Sequence, residues 1–116
     1  MRLVVFVTAL VWASSGLTDA FDGRELRDRC DTAASSANRG FCSGYLMATA
    51  ATLRSVRRYY KRKVFNVCVP EPEALDASLL VQRFLDWTHR NPDKLHHSAN
   101  EVAIAALHDA FRCGGR

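Results

Sequence analysis

Hydrophobic residues in this chain recur with the period of a helix. Between Phe21 and Cys113 there is no sustained apolar/polar alternation and no Asn-Gly hairpin signal, so strands are not expected. Four helical segments stand out instead. The first is predicted from about Gly23 to Ala34, with Asp22 as its cap, Glu25 three residues on, and Leu26, Cys30 and Ala33 as its apolar stripe. Ser35-Ser36-Ala37-Asn38 reads as a loop. The second and longest helix is predicted from about Arg39 or Gly40 to Lys61 or beyond. On a helical wheel Cys42, Tyr45, Leu46, Thr49, Leu53, Val56 and Tyr60 share one side, and Arg54, Arg57, Arg58, Lys61 and Arg62 the other. Cys68-Val69-Pro70-Glu71-Pro72 stops that helix, because proline lacks the amide hydrogen a helix interior needs.

The third helix is predicted from its cap Asp76 to His89, with a core face of Leu80, Val81, Phe84, Leu85 and Trp87. Asn91-Pro92-Asp93 is a turn in which proline pre-sets the backbone. Ser98 and Glu101 form a capping-box pair that opens the fourth helix. Its apolar arc is wide, taking in Ala99, Val102, Ala103, Ala106, Leu107, Ala110 and Phe111, and Cys113 falls on the same arc with its sulfur inward. Four helices with short connections imply an all-α fold, a compact four-helix bundle-like single domain.

The N-terminus changes the picture of where this bundle works. Arg2 precedes the apolar run Leu3–Ala13, which is too short to span a bilayer. Thr18-Asp19-Ala20 then offers a small-x-small cleavage site before Phe21. Residues 1–20 are therefore expected to be a secretory signal, and 21–116 the mature domain of 96 residues, still at net charge +4. No second hydrophobic run approaches the roughly 20 residues of a membrane span. All four cysteines, Cys30, Cys42, Cys68 and Cys113, lie in the mature part. In an exported chain of this size they read as a disulfide framework. That argues against a cytosolic enzyme, a nucleic-acid binder and an integral membrane protein.

The helix order favours one pairing of the three. Cys30 ends the first helix and Cys42 opens the second across a short loop; Cys68 precedes the third and Cys113 ends the fourth. If helices three and four are antiparallel neighbours, Cys30–Cys42 and Cys68–Cys113 meet. A zinc site is disfavoured, since no C-x-x-C pair exists. Nothing resembling G-x-S-x-G, H-E-x-x-H or a glycine-rich phosphate loop occurs, and no cofactor is expected. His96 and His97 are adjacent, so in a helix or strand they cannot face one metal, and they read as solvated loop histidines. The basic run Arg54–Lys63 reads as a solvated face, with an acidic protein partner or an anionic surface as the alternatives. Leu75 and Leu79 sit four apart, with Leu79 on the polar side of helix three. They mark either an interface or residues covered by the loop at Pro70–Ala74.

The mature chain resembles the Rap/Tai-type immunity proteins that guard bacteria against type VI secretion peptidoglycan amidases. The resemblance is carried by FDGRELRDRC at Phe21–Cys30, CSGYLMA at Cys42–Ala48, CVP at Cys68–Pro70 and HRNPDKLHHSANEVAIAALHDAFRC at His89–Cys113. Ala48 stands where the family pattern has a second glycine, and Arg112 where it has a proline. The resemblance implies a small periplasmic all-helical protein, often dimeric, that plugs the active site of an amidase effector and needs no catalysis of its own. Its motif residues look structural: cysteines, a helix-packing glycine, core aromatics. The Pro92–His97 loop, with Lys94, His96 and His97, is the expected contact with the amidase, and the Leu75/Leu79 patch is the next. A periplasmic acid-stress or holdase-type helical chaperone is the alternative. Against it, such chaperones usually carry one disulfide, and this basic chain lacks clustered carboxylates.

Overall fold

Local capping sets where each helix begins. In the computed structural model, which describes residues 21–60 and 66–114, α1 (Gly23–Cys30) opens on Asp22, whose carboxylate accepts from the Glu25 amide at 3.0 Å. α2 (Ala37–Tyr60) opens on Ser36, whose hydroxyl accepts from the Arg39 amide at 3.1 Å. α3 (Ala77–Arg90) opens on Asp76, which accepts from Ser78, and α4 (Ala99–Ala110) on Ser98, which accepts from Glu101. Each cap satisfies an amide that a first helical turn leaves without a partner. The expected signal over residues 1–20, and the placement of Lys61 and Arg62, lie outside the described residues.

The predicted end of α1 and start of α2 both move, each for a physical reason. α1 stops at Cys30 rather than Ala34. The Arg39 side chain donates to the Cys30 and Thr32 carbonyls at 3.0 and 3.2 Å, so a cation satisfies acceptors at the helix end where the dipole favours positive charge. Ala33, expected on the apolar stripe, is exposed beyond that end. α2 starts at Ala37, inside the expected loop, because Ser36 caps it.

Each helix touches the other three, as a bundle requires. The fully buried side chains include Leu26 from α1, Leu46 from α2, Leu80 and Phe84 from α3 and Leu107 from α4. Burying each such side chain stabilises the fold by about 1.5–3 kcal/mol relative to exposure. Along α2 the buried line is Cys42, Leu46, Ala50 and Leu53, whereas Tyr45, Thr49 and Val56 are half-buried at its margin. Gly23 fixes how closely α1 approaches α4. A Cβ there would lie 2.6 Å from Val102 Cγ2 and 3.0 Å from the Leu95 carbonyl oxygen. Gly23→Ala is therefore expected to cost about 1–3 kcal/mol by overpacking. Urea denaturation checks this, and an unchanged midpoint would mean that α1 shifts without cost.

Cys30–Cys42 and Cys68–Cys113 both form, as the helix order favoured. Cys30 and Cys42 are completely buried between α1 and α2. The second bridge is reached differently from expectation. α4 ends at Ala110, so Cys113 lies beyond its arc and is half-buried. It meets Cys68 through a short antiparallel bridge in which the Cys68 amide donates to the Phe111 carbonyl (2.7 Å) and the Cys113 amide to Asn66 (3.0 Å). Asn66 adopts φ 51°, a left-handed conformation that asparagine tolerates, at the start of this return.

The return changes the reading of the basic face. Arg54 donates to the Pro70 carbonyl at 3.2 Å. Arg57 reaches the Cys68 sulfur and lies 3.3 Å from that of Cys113. Both arginines are half-buried, and Arg58 alone of the three stays exposed. The side predicted to be solvated is covered because Asn66–Glu71 folds back along α2, a non-local event invisible on a helical wheel.

Candidate functional site

The segment between α3 and α4 is short, polar at its tip and anchored at its root. Asn91 ends α3, its amide donating to Thr88 and its side-chain nitrogen to the Trp87 carbonyl at 2.9 Å. Pro92–Lys94 then makes one 3₁₀ turn, and the His97 amide donates to the Lys94 carbonyl at 3.3 Å. Leu95 points into the core and is 1% exposed. The first amides of α1 complete the brace: Gly23 donates to the His97 carbonyl (3.0 Å) and Arg24 to the Leu95 carbonyl (3.2 Å). Orphan donors of one helix terminus thus satisfy the carbonyls of this loop. The Ala99 amide donates to the Phe21 carbonyl on the adjoining strand-like pair Asp22–Ser98.

This brace presents Lys94, His96 and His97 to solvent. The two imidazoles lie side by side, with ring centroids 4.2 Å apart, and His97 Nδ1 is 3.5 Å from the Glu101 carboxylate. Lys94 and His97 also line a cleft of about 320 Å³ with Trp87, Glu101, Val102 and Ala105. Two of the three expected loop residues therefore share one concavity with an aromatic wall and an acid. Among the described residues no group of His, Cys, Asp and Glu is arranged to hold a metal ion.

Leu75 and Leu79 do not join that site. They flank the start of α3, whereas the loop follows its end. Both are half-buried, and Leu75 packs against the core. Its amide is taken by Pro72 in the 3₁₀ turn Pro72–Ala74.

Surface features that sequence reasoning missed lie along α2 and the outer side of α4. Ile104 and Ala105 are half-buried and border a shallow cleft of about 520 Å³ with Glu101 and His108. Their signal was the surplus of apolar residues in AIAALHDA, more than one buried face can use. Phe21, Phe41 and Tyr45 form an aromatic cluster with ring centroids 5.5–6.1 Å apart, and the Arg29 guanidinium lies 4.5 Å from the Phe41 ring. Burial pushes the Tyr45 phenol above its ordinary pKa. Phe41 remains 43% exposed, which marks the cluster as surface rather than core.

The family model of the Rap1a immunity proteins matches residues 22–113. The chain belongs to the Rap1a immunity protein family. No curated protein and no solved structure matches it. Membership points to an immunity function, and the matched span encloses both disulfides and the braced loop. Gly44 is exposed, and a Cβ there would meet nothing within 4 Å, whereas Gly23 is the glycine packed closely against α4. Helix packing within this chain therefore does not require glycine at that position.

Proposed function

We propose that this protein is a periplasmic immunity protein that binds a peptidoglycan amidase effector of a type VI secretion system and blocks its cleft. The braced Asn91–Ser98 loop carries this reading beyond family membership. A polar tip held by a buried leucine and by two amides of α1 enters a cleft with little ordering cost. Lys94 and His97 supply donors at the rim of the adjoining cleft, whose floor is the largely buried Trp87. Export fits the two disulfides, which persist in oxidising compartments. A homodimer belongs to the same reading.

The test compares protection with stability. Cells making the full chain should survive a periplasmically targeted cognate amidase, and cells making a version without residues 1–20 should not. In vitro, replacing Lys94, His96 and His97 together with alanine should weaken inhibition at least about tenfold, with melting nearly unchanged, as for surface substitutions generally. Full inhibition by that variant would remove the loop from the interface. Failure of the full chain to protect against any amidase would remove the amidase reading.

A further inference from the structure

At the end of the bundle opposite the braced loop, three arginines converge on one cleft, and among the described residues none of them is ion-paired to an acid. The Asn91–Ser98 loop precedes α4, whereas the Cys68–Cys113 bridge follows it, so the 12 residues of α4 separate the two surfaces. Arg54, Arg57 and Arg58 of α2 line a cleft of about 310 Å³ together with Val67, Val69 and Glu71 of the return. Arg54 and Arg57 are held in place by the Pro70 carbonyl and the disulfide sulfurs, which leaves further N–H groups of each fork unspent. Elsewhere arginines do pair with acids: Arg27 with Asp28, Arg90 with Asp109 and Arg112 with Asp109. Among the described residues no carboxylate makes such a pair with Arg54, Arg57 or Arg58. The C-terminal dipole of α2 favours cations in its last turn. That accounts for basic residues there, but not for their convergence on an apolar-walled concavity.

We propose that this cleft is a docking site for an acidic protein segment, with one or two carboxylates on the arginines and an apolar side chain against the half-buried Val69. Pre-positioned guanidinium forks match carboxylates in geometry as well as charge. A concave site with an apolar wall and the Glu71 carboxylate at its side suits an extended peptide better than a flat anionic bilayer. The proposal rests on the cleft alone and stands or falls independently of the amidase reading.

The experiment titrates the oxidised mature protein, followed by backbone and arginine Nε NMR, with the capped peptide Glu-Val-Glu and with its Gln-Val-Gln counterpart. Shifts should centre on Arg54, Arg58, Val67, Val69 and Glu71, weaken with added salt and be absent for the glutamine peptide. The double variant Arg54→Gln/Arg58→Gln should bind roughly tenfold more weakly, as expected when charge partners of a docking site are removed, and Arg58→Gln alone, at an exposed residue, should weaken binding with unchanged melting. Glu71→Gln, which removes only a repelling charge, should bind more tightly. No binding by the native protein, equal binding of both peptides, or equal binding by the double variant overturns the proposal. So does binding to phosphatidylglycerol vesicles that the double variant loses while peptide binding stays intact, which would make a membrane the occupant.

Discussion

Replacing all four cysteines with alanine is expected to leave the mature domain largely unfolded at about 37 °C. The two bridges close segments of 12 and 45 residues. On chain-entropy grounds such loops are worth about 3 and about 4 kcal/mol respectively. Their sum, roughly 7 kcal/mol, is comparable with the roughly 5–15 kcal/mol that stabilises a typical domain. Cys30 and Cys42 are also completely buried, so alanine there removes sulfur packing between α1 and α2 besides the link. Urea denaturation of the variant beside the oxidised native chain reads the difference. A midpoint close to native would show that the helical core suffices and that the bridges serve another purpose. The expected loss also has a functional side: a fold this dependent on its bridges belongs where thiols are oxidised.

The pairing of those cysteines was legible because helix order favours it once helices three and four are taken as antiparallel neighbours, and so were the caps Asp22, Asp76 and Ser98, whose signals are local. Ser36 carried the same signal, but Ser35, Ala37 and Asn38 around it read as loop, and the start of α2 was placed too late. What the linear pattern could not show is where distant segments return. Arg54 and Arg57 sit on the polar side of a wheel, yet Pro70 and the Cys68–Cys113 bridge cover them. The proline that the family pattern has at the position of Arg112 becomes intelligible for the same reason. The bridge there uses the amides of Cys68 and Cys113, so a residue without an amide hydrogen fits between them. In the candidate site, Lys94 and His97 were found by polarity and position. Trp87 was assigned only to the core, although its side chain also walls their cleft. Leu95 was passed over, since a single leucine in a polar turn has no periodicity to mark it as buried.

That leucine carries the second large expectation. Leu95→Ala should cost about 2–5 kcal/mol, the usual range for truncating a fully buried leucine. The loss should extend beyond the cavity itself. The Leu95 carbonyl accepts from Arg24, and the His97 carbonyl two residues on accepts from Gly23, so loosening this anchor frees the first turn of α1. Hydrogen exchange at the Gly23 and Arg24 amides should therefore rise more in this variant than exchange at mid-helix amides such as that of Leu46. The contrast with Lys94, His96 and His97 is the informative part. Those three are exposed, and removing their side chains should change binding and spare melting. Removing Leu95 should lower melting and also weaken inhibition, because a loop without its anchor must be ordered on binding. Should Leu95→Ala melt like the native chain, the loop is not held by its leucine. The low ordering cost assigned to it would then have no structural basis.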